Sequence, residues 1–197
     1  MLENHDYVYD KYMLTRNPKN IKKYESDKKP PPELPIPSHL KNILIPNKQK
    51  STHLKVIGEL RCACENTVFY VKTLVEDGAA NGSYIKTVCS KCGYEYLIFD
   101  SRAHGWDGYI GRDLDERLLD AQAKVFCCGK CNSNRFNLKI TISSQGREDF
   151  IGELKDEIDK GLFAKEDWVN AFEWIKIDIT CLGCGKKYPN FVDYETM

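Results

Sequence analysis

Nine cysteines fall into four short clusters: Cys62 with Cys64, Cys89 with Cys92, Cys127 with Cys128 and Cys131, and Cys181 with Cys184. A tetrahedral metal site takes two thiolates from each of two tight turns. A pair, an intervening stretch of strands and a second pair is therefore the order of a zinc ribbon, and four clusters describe two of them. The expected ligand sets are Cys62, Cys64, Cys89 and Cys92, and Cys128, Cys131, Cys181 and Cys184, each around one structural zinc ion, with iron as the minor alternative. Twenty-four residues separate Cys64 from Cys89, which suits a hairpin, whereas forty-nine separate Cys131 from Cys181 and require an insertion.

A disulfide framework is the competing use of so many cysteines. No apolar signal segment precedes the body, the first thirty residues are strongly charged, and nothing approaches an apolar membrane span. These features predict a cytoplasmic protein without a membrane partner, where thiols stay reduced and paired clusters hold metal. A thioredoxin-like motif would place one C-x-x-C at the start of a helix, but these clusters flank strand-like runs. The residues that follow them agree with metal knuckles. A tight knuckle favours a left-handed backbone just after its second cysteine, and Gly93, Gly185 and Asn132 stand there. Glu65, after the irregular Cys62-x-Cys64 pair, departs in residue type; there, alternate residues of an extended strand would point both thiols at one ion. Matched spacing selects Cys128 as ligand and leaves Cys127 as a small buried hydrophobe.

The expected fold class is α+β: two small antiparallel zinc-ribbon modules with a helical linker and a helical insertion, after an extended proline-rich arm. The arm covers residues 1–55, the first ribbon 56–112, the linker helix 113–126 and the second ribbon 127–197, with its insertion at about 146–172. Consecutive prolines at 30–32 cannot donate backbone hydrogen bonds and favour an extended arm, although Leu34, Ile36, Leu40 and Ile43 to Ile45 suit docking on the body. Strand-like runs occupy 68–75, 84–88, 94–99, 136–142 and 174–180. Asp113 and Glu116 read as a capping box for a helix at about 114–124. Phe150, Ile151, Leu154 and Ile158 recur at helical spacing ahead of Gly161.

Formal net charge is zero but unevenly spread. Residues 1–57 carry 11 Lys/Arg against 6 Asp/Glu, and the remainder 18 against 23. The acidic insertion offers Glu153, Asp156 and Glu157 as a contact face for a basic protein partner, beside the plainer reading of a solvated helix. The loop bearing His104, Trp106, Asp107 and Tyr109 is the densest cluster of functional groups outside the cysteines. It suits a ligand or partner contact, or a folded turn whose aromatics pack on the ribbon. Catalysis is not expected: four thiolates close a zinc shell, and no nucleophile is paired with His104. Nucleic acid is the alternative partner, reached through the basic arm. The sequence leaves oligomeric state open.

The order C-x-C, then Cys89-Ser90-Lys91-Cys92-Gly93-Tyr94, Leu97-Ile98-Phe99-Asp100-Ser101 and His104-Gly105-Trp106-Asp107-Gly108, then two further knuckles and Asp193-Tyr194-Glu195-Thr196-Met197, resembles small uncharacterised bacterial proteins with tandem zinc ribbons. The resemblance covers about residues 58–197 and implies two zinc ribbons but no activity. The Cys89–Tyr94 stretch is also similar to a rubredoxin knuckle, from which the C-x-C partner and its order depart. Together these features lead to the expectation of a non-enzymatic zinc protein that presents a surface to a protein partner. One version is an immunity or inhibitor protein, the alternative is a nucleic-acid-associated regulator, and an enzyme centred on His104 and Asp107 comes third.

Overall fold

A computed structural model describes residues 33–76, 79–111 and 122–197, with the backbone alone at 75–76 and 79–83. Nine strands form one curled antiparallel sheet, a half-barrel, accompanied by a few short helices. In chain order the strands are β1 (Leu44–Pro46), β2 (Lys55–Leu60), β3 (Phe69–Glu76), β4 (Ala79–Cys89), β5 (Glu95–Asp100), β6 (Lys124–Val125), β7 (Phe136–Ser143), β8 (Trp174–Cys181) and β9 (Lys187–Glu195). Among the described residues the short α-helices with both ends defined are α1 (Gly105–Gly111), α2 (Arg147–Glu153) and α3 (Lys155–Asp159). No helix among the described residues is long and apolar enough to cross a membrane.

Period-two alternation builds the core. Phe136, Leu138, Ile140 and Ile142 of β7 and Ile175, Ile177, Ile179 and Cys181 of β8 point inward, while Asn137 and Lys139 point to solvent. Phe69 and Phe136 are fully buried and face each other across the bridge between β3 and β7, each contributing about 2–3 kcal/mol by burial. Leu40 and Ile43, ahead of β1, and Leu44 at its start join the same core. A smaller cluster joins α1 to the insertion, with Phe150 and Trp168 at its centre.

The two knuckle-bearing halves repeat each other residue by residue. Lys72 pairs with Lys86, and Lys139 with Asp178; Phe69 pairs with Cys89, and Phe136 with Cys181. Thr87 pairs with Tyr96, and Ile179 with Tyr188, and the register slips before the Ile85–Phe99 pair in the first hairpin and before the Ile177–Val192 pair in the second, where the bulge is one residue larger. The strand entering each first knuckle crosses to the other half: Glu59 of β2 pairs with Lys139 of β7, and Val125 of β6 pairs with Lys72 of β3. A local twofold relation through the Phe69–Phe136 bridge thus exchanges β2 with β6, β3 with β7, β4 with β8 and β5 with β9.

This replaces the expected α+β arrangement of two self-contained ribbons joined by a helix. The fold is mostly β, and both halves share one sheet and one core. Hydrophobic alternation identifies strands but not their partners, and β6 is too short to carry a pattern of its own. The expected linker helix at about 114–124 lies mainly outside the described residues; Gln122 is helical, and Lys124–Val125, expected within or next to that helix, is strand. Residues 1–32 of the arm also lie outside the described residues, while residues 33–55 belong to the same compact unit as the body.

Candidate metal centres

Each knuckle is a tight turn closed by two backbone hydrogen bonds. At Cys89 the carbonyl accepts from Gly93 and the amide donates to Tyr94; at Cys181 the partners are Gly185 and Lys186, all at 2.9 Å. Cys128 uses Asn132 and Ser133, both at 2.8 Å. The Cys62 knuckle does the same one residue shorter, with Glu65 and Asn66, also at 2.8 Å. Gly93, Gly185, Asn132 and Glu65 are all left-handed, with φ of 75°, 70°, 57° and 65°. The C-x-C pair is therefore a turn, not the extended strand expected of it. Glu65 adopts the conformation its residue type disfavours by about 1–2 kcal/mol. Its carboxylate meets Arg61 at 2.8 Å on the surface.

These turns assemble both expected ligand sets, with all sulfur atoms of a set within 4.8 Å of one another. Cys62 to Cys92 spans 3.5 Å and Cys64 to Cys89 3.6 Å; Cys128 to Cys184 spans 3.6 Å and Cys131 to Cys181 3.5 Å. Metal–sulfur bonds of about 2.3 Å in a tetrahedron require sulfurs about 3.8 Å apart, so each set fits one ion with every position taken by sulfur. All nine thiols are free of disulfides. Asn66 Nδ2 donates to the Cys89 sulfur at 3.2 Å. In the second centre the Tyr188 hydroxyl holds the Cys128 thiol well below its usual range, at about 5.

Cys127 is exposed rather than buried. It occupies the position equivalent to Arg61, one residue ahead of the first ligand, which directs its side chain to solvent.

The His104 stretch is the start of α1 rather than a loop. Gly105 has φ of 76°, and a Cβ there would lie 2.4 Å from the Thr196 side chain, so only glycine lets the C-terminal strand approach. Thr196 is buried, and its hydroxyl bonds the Phe172 carbonyl. The Trp106 ring meets Phe150 edge-on at 6.2 Å and Tyr109 sits 6.1 Å from Phe163, so these aromatics pack on the insertion rather than the ribbon. The Asp107 amide donates to the Thr196 carbonyl. His104 stacks flat on His39 at 3.9 Å, and its Nδ1 accepts the Asp100 amide. Burial pushes His104 down to about 3, with help from His39, and burial alone pushes His39 down to about 4. The Phe99 ring lies 6.3 Å away, and none of these contacts of the His104 ring involves Asp107.

The acidic insertion is two helices broken at Leu154, so Glu153 lies on α2 while Asp156 and Glu157 lie on α3. Glu153 joins a different constellation: with Asp149 and Glu195 it raises the carboxyl of Glu173, after the larger effect of burial. Glu173 and Glu195 flank opposite strands. Sequence offered no signal for them beyond their charge, because only the pairing of Trp174 with Glu195 brings these ends to α2.

Compared with protein-family models, with curated proteins and with solved structures, the chain has no match in any of the three. No family or homologue is identified, and what stands of the expected resemblance is the two four-cysteine clusters.

Proposed function

We propose that this chain is a non-enzymatic cytoplasmic protein whose two four-thiolate centres hold structural zinc, and that its acidic end docks a basic protein partner. The observation that carries the zinc reading is the closed tetrahedron of sulfur: a catalytic zinc keeps one position for water, and these sets leave none. The acidic constellation around Glu173 supports the partner. Burial first, and then the nearby Glu153, Asp149 and Glu195, raise the Glu173 carboxyl, and a cationic surface would relieve the repulsive part. An immunity or inhibitor protein covering the basic groove of a nuclease has this chemistry. The His104 stretch then serves to fasten the insertion to the sheet.

Elemental analysis of the purified protein should find two zinc ions per chain; one or none would overturn the zinc reading. Changing Glu153 and Glu173 to lysine should slow association with a basic nuclease domain most strongly at low salt, without loss of zinc. An unchanged association rate would remove this surface. Turnover in a broad hydrolase and nuclease screen, lost on changing His104 and Asp107 to alanine, would replace the binding reading with an enzyme.

A second reading is nucleic-acid association. Lys130, Arg135, Lys186 and Lys187 are exposed around the second centre, and no carboxylate occurs within 126–136 or 181–188. Phosphate neutralisation by such a patch predicts retention of single-stranded DNA that falls steeply with salt. Salt-independent retention, or none at 50 mM salt, would set it aside.

A further inference from the structure

We infer that Tyr96 and Tyr188 are outer-sphere residues of the two metal centres, each donating its hydroxyl proton to the first cysteine of its set and so controlling how firmly that thiolate holds the ion. The inference rests on reading the four-thiolate sets as metal centres.

The arrangement occurs twice with the same atoms. Tyr96 Oη lies 3.2 Å from Cys62 Sγ, and Tyr188 Oη lies 3.2 Å from Cys128 Sγ. Each hydroxyl also accepts the backbone N–H of the residue just after that cysteine: Gly129 reaches Tyr188 at 2.9 Å, and Ala63 plays the same part for Tyr96. Because this N–H occupies a lone pair of the oxygen, the phenolic proton is directed at the sulfur. Each ring is held edge-on by the phenylalanine that opens its half's first hairpin strand, Phe69 at 6.5 Å and 77°, Phe136 at 6.4 Å and 75°. Both tyrosines stand four residues beyond the last cysteine of their set, in Cys92-Gly93-Tyr94-Glu95-Tyr96 and Cys184-Gly185-Lys186-Lys187-Tyr188. Of these positions Cys, Gly and Tyr are the same in the two halves and the intervening two differ, so the hydroxyl is retained where its surroundings are not.

A divalent ion with four thiolates carries two net negative charges. A hydrogen bond to one sulfur disperses part of that charge and fixes the sulfur's direction, and outer-sphere partners of this kind typically affect metal affinity 10- to 100-fold. The backbone N–H, hydroxyl and sulfur form a short relay, so the ligand is aimed before the ion arrives.

The test uses full-length protein loaded with Co(II), whose sulfur-to-metal charge-transfer bands report electron density on the ligands. Wild type should take up two ions; failure to bind Co(II) or Zn(II) would overturn the metal reading and this inference together. Tyr96→Phe should lower affinity of the first centre about tenfold in chelator competition and move that centre's bands to lower energy, leaving the second unchanged, and Tyr188→Phe should do the converse. Tyr194→Phe, which removes a phenol that packs on Phe99 at the other end of β9, should leave the bands in place. Unchanged bands and affinity in both tyrosine variants would overturn the inference while the metal reading stands, as would equal loosening of both centres by either variant or a shift of the same size produced by Tyr194→Phe. If a tyrosine variant does not fold, replacement of tyrosine by 3-fluorotyrosine keeps the shape with a more acidic hydroxyl and should move the bands to higher energy; no movement would overturn the inference.

Discussion

The half running from β2 to β5 and the half running from β6 to β9 share their ligand geometry, their tyrosines and their register, yet they present different surfaces. Around the first centre, Arg61 is paired with Glu65, Glu95 is held by Lys72 and Lys86, and Tyr94 and Leu97 stand exposed. Around the second, Lys130, Arg135, Lys186 and Lys187 meet no nearby carboxylate in sequence, and the acid lies at the far end of β8 and β9. The metal geometry is thus the common part, and the surface is free to diverge. The comparison also shows that the halves are not independent, since each lends the other its leading strand.

The largest expected effect breaks the idea of separable halves. Cys128→Ser should release one metal, removing a contribution on the order of 10 kcal/mol to folding. Because β2 pairs with β7, hydrogen-exchange protection should fall in β3 to β5 as well as in β7 to β9. Full protection of the first half would mean that the halves are modules after all. Cys127→Ser, at the exposed position matching Arg61, should keep both ions and both sets of protected amides.

A smaller effect separates the halves by acid. The stacked His39 and His104 cover the free edge of β5, where His39 Nε2 meets the Ile98 carbonyl, and Asp100 donates to His104. Both rings are held neutral in the fold, at about 4 and about 3, against 6.5 when unfolded. The unfolded chain therefore binds more protons below pH 6.5, so their stabilising share is complete above that value. It declines as pH falls toward 4, by up to about 1.4 kcal/mol per pH unit for each ring. Amides of β5 should lose protection before those of β8 as the pH drops from 7 to 5, and His39→Gln should flatten the difference. Simultaneous loss in both strands would refute this.

The smallest effect sharpens the comparison at one buried position. Thr87 is fully buried and its hydroxyl has no hydrogen-bond partner among the described residues, whereas the equivalent residue in the second half is Ile179. Thr87→Val should stabilise the protein by about 1 kcal/mol, seen as a melting temperature higher by about 2–4 °C. A lower melting temperature would show that the hydroxyl serves the first half in a way the second does without.

The ligand sets were legible because short cysteine spacing is itself geometry: a knuckle has little choice of shape, and Gly93, Gly185 and Asn132 announce the left-handed turn. Strands β3, β7 and β8 were legible from alternation. The exchange of leading strands was not, since Lys124–Val125 has no pattern to read and Lys55–Leu60 alternates equally well beside any neighbour. The insertion's periodicity concealed the break at Leu154. The tyrosines leave a weaker signal, the repeated Cys-Gly-x-x-Tyr, because a phenol four residues from a knuckle has the pattern of a core residue and only the fold brings its hydroxyl to the sulfur.

The exchanged strands also impose an order on synthesis. As the chain leaves the ribosome, Cys62 to Cys92 emerge together and can close the first knuckle pair, but β2 has only the three-residue β1 beside it until β7 has been made, and β3 lacks β6. Non-local pairing of this kind is slow and leaves apolar edges uncovered while it waits. An ion captured early in the first centre would act as a placeholder, keeping β3 to β5 in register until the second half arrives, so that metal supply during translation governs yield as much as metal affinity governs the finished protein.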